Sequence, residues 1–372
     1  MSLKSLLMPT VTGYLFSKNR LLARRAKREK ARKLQGRHHE VWVFLQADDP
    51  YSYLLLQALP AFLGRYSVNL RFHLVSKPTK EAMPEPEKAV AYALVDARRL
   101  ARHYGLEFEA TQMPSVNQVQ IAERGLAHCL TLADPFELCD KALKILSWLW
   151  SPSVSHDSHH FAQANPEEAL ASVVTGEGVR KRLGHYSSGM LYYEGEWYWA
   201  IDRLYHLEER LRGLGVVRPP ARGLMFPPFK LPPQAPGAPL EDGLEIDFYF
   251  SFRSPYSAIV APRVFALAKT LGVKVNLRFV LPMVMRGLPV PAEKKRYIVF
   301  DTLREALSQG IDFGRINDPV GAPTERGLSL VPLAMKAGKG QAYVESFMKG
   351  VWAEGIDAGS DGGLKKIVDR AG

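Results

Sequence analysis

Ser254 is the residue whose type and placing most suggest chemistry. It lies in Ile246-Asp247-Phe248-Tyr249-Phe250-Ser251-Phe252-Arg253-Ser254-Pro255-Tyr256-Ser257. The apolar, aromatic-rich run before it reads as a buried strand. Ser254 itself offers an N-cap hydroxyl, and Pro255 sits where the first helical turn tolerates a missing N–H. A hydroxyl there faces unpaired amides and the positive end of the helix, a place that favours an anion. Spacing alone leaves two readings, an anion-holding hydroxyl and simple helix-start punctuation, and the second is the plainer.

The stretch has an earlier counterpart. Val41-Trp42-Val43-Phe44-Leu45-Gln46-Ala47-Asp48-Asp49-Pro50-Tyr51-Ser52 aligns with it without a gap and sets Asp49 opposite Ser254. Val68-Asn69-Leu70-Arg71-Phe72 returns as Val275-Asn276-Leu277-Arg278-Phe279, and Tyr92 with Asp96 returns as Tyr297 with Asp301. Matches in one order at near-constant spacing predict a tandem of two related domains.

Other candidates are sparser. Cys129 and Cys139 form no C-x-x-C pair, which excludes a disulfide framework and a dithiol centre on one strand-to-helix turn and points to a reducing, cytoplasmic setting. His156, His159 and His160 make one local cluster without supporting Cys or Glu spacing, so a polar loop is expected and no metal site. Lys294, Lys295 and Arg296 follow one another and fit a solvated helix face.

These residues need elements to hold them. Residues 41–213 read as strand, helix, a second strand at Val68–Val75, a helical section, a hairpin (Met190-Leu191-Tyr192-Tyr193, turn Glu194-Gly195, Glu196-Trp197-Tyr198-Trp199) and a last helix. Eight prolines between Pro219 and Pro239 mark residues 214–244 as a semi-rigid linker. The second domain is expected at 245–372, its first helix stopping near Gly272. The whole is α/β, two thioredoxin-like domains each carrying an inserted helical subdomain.

The net charge of +11 first suggests nucleic acid. It sits, however, in a basic leader, residues 1–40, where eleven Lys/Arg face Glu29 and Glu40, so no specific nucleic-acid partner is expected of the domains. The leader is read as a solvated, partly disordered arm; a basic helix making weak contact with a membrane surface is the alternative, and composition leaves a transit peptide open. No apolar run is long enough to span a bilayer.

The run Asp247–Ser257 resembles the opening of the 2-hydroxychromene-2-carboxylate isomerases and kappa-class glutathione transferases, DsbA-like proteins with Ser where disulfide oxidoreductases have their first Cys. Lys294 with Tyr297–Leu303 is similar to the family's Lys-x-x-Tyr…Asp-Leu helix, and Trp352–Asp361 to its Trp…Asp-Ile segment. In the first domain, Glu194–Leu204 resembles the closing Asp-Gly-Glu-x-Phe-Trp-Gly-x-Asp-Arg-Leu hairpin. The resemblance covers most of 41–213 and 246–372. It implies glutathione as cofactor, with catalytic Ser254 donating to the sulfur and holding it as a thiolate. Arg253, Pro255, Tyr256 and Lys294 complete the implied binding set. The thiolate would add to a small aromatic or conjugated carboxylic acid, permit rotation about a former double bond, and leave. The alternatives are a transferase or oxidoreductase relative, and a non-catalytic scaffold tethered by its leader; a homodimer is left open.

Two departures shape the expectation. The family's cis-proline before the hairpin aligns with Gly189, and a carboxylate at Asp49 would repel a thiolate, so the first domain is expected to be catalytically silent. The second domain has no counterpart of the hairpin and closing helix before Gly372. A fragment is the plainer expectation, strands borrowed from a partner the other.

Overall fold

The computed structural model describes residues 3–151, 160–229 and 243–372. His156, His159 and residues 230–242 of the expected linker 214–244 therefore lie outside the described residues. The chain divides into two compact units, Lys27–Phe229 and Met1–Ala26 with Lys230–Gly372.

In the unit Lys27–Phe229, the expected elements form around one sheet. Strand β1 (Glu40–Leu45) runs into helix α3 (Pro50–Arg65), then strand β2 (Asn69–Leu74). Four helices follow, α4 (Pro86–Tyr104), α5 (Val116–Cys129), α6 (Pro135–Trp150) and α7 (Pro166–Arg182). Strands β3 (Met190–Tyr193) and β4 (Glu196–Trp199) then lead to α8 (Leu204–Gly213). The strand order is β2-β1-β3-β4. β1 pairs parallel with β2 and antiparallel with β3, in register Val43↔Phe72 and Val43↔Leu191. Glu194 and Gly195 both take positive φ, 40° and 90°, which lets a two-residue turn join β3 to β4 with the strand twist that such hairpins need. A core of Val41, Val43, Leu54, Leu55, Phe62 and Leu191 lies between sheet and helices. The inserted helices cover the sheet-side helix, with α6 packed on α3 and α5 on α6.

The other unit repeats the opening of this pattern. Strand β5 (Glu245–Phe250) and strand β6 (Lys274–Phe279), joined by helix α9 (Pro255–Leu271), pair parallel as β1 and β2 do. Phe248 stands opposite Leu277, the counterpart of Leu70, where Val43 stands opposite Phe72, a shift of two residues. Gly272 ends α9 in the left-handed region at φ 68°, a place where its missing Cβ removes the penalty. Helices α10 (Ala292–Gln309), α11 (Ala322–Lys336), α12 (Gly340–Lys349) and α13 (Asp361–Ala371) follow. Phe250, Phe252, Phe265, Val344, Phe347 and Trp352 fill their core. Among the described residues β5 pairs with β6 alone.

The leader differs from a solvated arm. It forms helices α1 (Leu3–Leu15) and α2 (Lys18–Leu34), with Thr12, Leu21 and Arg32 buried. Charge density alone suggested solvation, whereas Thr12 and Leu21 pack, and Arg32 is buried with its charge paired to Glu29. Among the described residues, no helix is long and apolar enough to cross a membrane.

Candidate functional site

The site grows from the turn between β5 and α9. Trp352 donates its indole N–H to the Phe252 carbonyl (3.0 Å), and Ser257 Oγ accepts the Ser251 N–H (3.3 Å), so both ends of the turn are pinned. Ser254 then caps α9 in extended conformation, its Oγ accepting the Ser257 N–H at 3.1 Å. Among the described residues that hydroxyl's own proton has no acceptor. It is half-buried beside the first-turn amides of a 17-residue helix, so it can donate to an anion that those amides also favour.

The neighbouring candidates are placed as follows. Pro255 is buried at the first position of α9. Tyr256 donates its hydroxyl to Asp301 Oδ2 (2.9 Å), and Asp301, almost wholly buried, also receives Arg304 Nη2 at 3.0 Å. That makes Tyr256 an anchor between α9 and α10. Arg253 grips Asp318 with two parallel bonds of 2.8 Å, so its fork is already filled by a carboxylate. Lys294 stands half-buried in the first turn of α10, where burial lowers its ammonium pKa. The structure thus brings Arg253, Ser254, Pro255 and Tyr256 together on one turn and gives Arg253 and Tyr256 internal partners. Sequence reading missed Asp318 and Arg304; the spacing of Arg304, three residues after Asp301 on one helix, could have announced the second.

A cavity of about 340 Å³ opens one turn along α9. Ala258, Pro262, Phe313, Glu345, Lys349 and Trp352 are among the residues that line it.

The corresponding turn of the other unit is closed. Asp49 caps α3, its carboxylate accepting the Tyr51 and Ser52 N–H groups, both at 3.2 Å, and the Ser52 hydroxyl at 2.8 Å. Ser188 bonds to it as well. Gly189, at φ 62°, lies directly over it, and a Cβ there would stand 2.9 Å from Asp49 Oδ2. Burial pushes the Asp49 carboxyl up to about 6 against these hydrogen bonds. Among the described residues, the Tyr51 and Ser52 amides and the Ser52 hydroxyl are spent on the Asp49 carboxylate.

Some bonds recur in both units. Tyr51 donates to Asp96 at 2.9 Å as Tyr256 does to Asp301, each pair 45 residues apart. Gln46 N–H donates to Ser52 Oγ as Ser251 N–H does to Ser257 Oγ, and Trp150 donates to the Ala47 carbonyl as Trp352 does to that of Phe252.

Both cysteines are buried and free, and burial pushes their thiols up to about 11 for Cys129 and about 12 for Cys139. Neither supplies a thiolate near neutral pH. Among the described residues no His, Cys, Asp or Glu cluster could hold a metal.

The family model described as a DSBA-like thioredoxin domain matches residues 245–372. Residues 245–372 form a DsbA-like thioredoxin domain. Among solved structures, a 2-hydroxychromene-2-carboxylate isomerase shares 15% sequence identity with this chain, covering 47% of it and 96% of the isomerase, at a TM-score of 0.38. No curated protein matches.

Proposed function

We propose that the DsbA-like domain runs glutathione-dependent chemistry at Ser254, isomerising a small aromatic or conjugated carboxylic acid. The observation that carries this reading is the Ser254 hydroxyl, fixed at the start of α9 in a DsbA-like domain that contains no cysteine, with its proton still available to a ligand. A hydroxyl cannot form a disulfide. It can hold a bound thiolate, helped by the positive end of α9. Glutathione, when bound, supplies a nucleophilic sulfur that adds to and leaves a conjugated carbonyl compound.

The chain's own residues divide the remaining work. Ser254 donates to the sulfur and keeps it unprotonated. Pro255 presets the turn, and the Tyr256–Asp301–Arg304 chain fixes the α9 start against α10. Lys294, half-buried in the first turn of α10 where burial lowers its pKa, is the candidate for a carboxylate of either ligand. Arg253, held by Asp318, stiffens the turn and is not assigned to the cofactor. We further infer that the two units are a tandem duplication, supported by the recurring Tyr–Asp, Ser–amide and Trp–carbonyl bonds. In this reading the first unit is silent, because Asp49 and Gly189 occupy the equivalent place.

The test is turnover of conjugated aromatic acids with glutathione, with S-methylglutathione, and without thiol. Isomerisation that needs the free thiol and is lost in Ser254→Ala supports the proposal. Turnover of the same acids without thiol refutes it.

A further inference from the structure

In the unit Lys27–Phe229, the residue after Ser52 fills a slot. Tyr53 is buried, its ring lies 6.3 Å from that of Phe108, and Phe108 in turn meets Trp150 at 5.3 Å. The Tyr53 hydroxyl bonds to Ser147. One turn further along α3, Gln57 bonds both backbone groups of Glu107, at 2.8 and 2.9 Å, and so latches the loop before Phe108 to the helix.

The matching place in 245–372 has neither ring nor latch. Ala258 follows Ser257 as Tyr53 follows Ser52, and Pro262 stands where the first unit has Gln57. Phe313 still pairs with Trp352, ring centroids 6.0 Å apart and 12° from parallel. The cavity of about 340 Å³ lies here, with Ala258, Pro262, Phe313 and Trp352 in its wall. A methyl group replaces a phenol ring, and proline offers no side-chain amide to hold the loop. Phe313 is half-buried where Phe108 is buried. An apolar cavity of about 150 Å³ already accepts one aromatic ring, so the space is sufficient.

The rim selects the polar end of the occupant. Lys349 precedes Trp352 by three residues as Ser147 precedes Trp150, and it brings an ammonium to the end of the slot where the Tyr53 hydroxyl is bonded. Asp312, 4.0 Å from Lys349, and Glu345 line the cavity too. Two carboxylates against one ammonium disfavour an anion and leave a neutral hydroxyl as the fitting group.

We propose that this cavity binds a neutral phenol, a small molecule with the shape and hydroxyl of a tyrosine side chain. The ring lies over Ala258 beside Phe313, and its hydroxyl accepts from Lys349 Nζ. The site uses no thiol and stands apart from the reading given for Ser254.

The experiment titrates the full chain, without glutathione, with p-cresol and with toluene, followed by ligand-observed NMR. p-Cresol should bind saturably with a dissociation constant on the order of 1 mM, and toluene about tenfold more weakly. An equal concentration of 4-methylbenzoate should not displace p-cresol. Ala258→Tyr puts the ring back and should abolish binding. Lys349→Met, at an exposed position, should lower the p-cresol affinity to that of toluene without changing the melting temperature. Absence of saturable p-cresol binding by the intact chain overturns the proposal. Displacement by 4-methylbenzoate, undiminished p-cresol affinity in Lys349→Met, or binding that survives in folded Ala258→Tyr overturns it too.

Discussion

The same turn appears twice in this chain and ends in opposite states. At Asp49 the helix start is held by a carboxylate that accepts the Tyr51 and Ser52 N–H groups and the Ser52 hydroxyl, under a glycine whose Cβ would stand 2.9 Å from it. At Ser254 the cap uses one acceptor lone pair and leaves its proton unspent. The scaffolding bonds around the two are alike, Tyr51–Asp96 against Tyr256–Asp301. The difference lies in the cap's remaining hydrogen-bonding capacity, and on the reading proposed above that surplus is what a ligand would use at Ser254.

The largest expected effect comes from breaking the seal. Gly189→Val places a branched side chain at φ 62° and against Asp49, and should destabilise Lys27–Phe229 by about 3 kcal/mol or more in urea unfolding. A smaller effect tests the charge beneath the seal. Burial raises the Asp49 carboxyl from 3.8 to about 6, so the folded state binds its proton more tightly than the unfolded state. Stability from this group is thus fully present at low pH and is lost as pH rises through about 6. Asp49→Asn keeps the cap and removes that slope, a difference of about 3 kcal/mol between acidic and neutral pH that paired melts would reveal.

The scaffolding bonds give the next contrast. Tyr256→Phe strips one partner from Asp301, which is almost wholly buried, and should cost about 2 kcal/mol. Tyr51→Phe strips Asp96, which is only half-buried, and should cost about 1 kcal/mol by the same unfolding measurement. Equal costs would mean that burial of the acceptor does not separate the two units. The smallest effect is Asp49→Ser, which copies the second cap into the first unit. It should leave glutathione binding unchanged in calorimetry, because Ser188 and Gly189 still cover the position.

Much of the fold was legible because its signals are local. Ser254-Pro255 and Gly272 bracket α9, and Glu194-Gly195 gives the hairpin its turn. The strand-helix-strand openings were readable from their repeated wording. The site's surroundings were not. Arg253 meets Asp318 across 65 residues, and Thr12 meets Ile316 across 304, pairings that a single polar residue does not advertise. The closure over Asp49 was half legible. Gly189 stood out where a cis-proline was expected, but its close approach to the carboxylate is a tertiary fact. The leader misled in the opposite way, since its charges drew attention from Pro9, Thr12 and Phe16, which do the packing.

The most direct test of the account is glutathione calorimetry on the full chain and on Ser254→Ala. The cap change itself should cost only about 1 kcal/mol of stability, leaving the domain folded. The account predicts that the intact chain binds one glutathione, and that the thiolate absorbance of the bound thiol near neutral pH falls in Ser254→Ala. Binding with undiminished thiolate in that variant, or no binding by the intact chain, would contradict it.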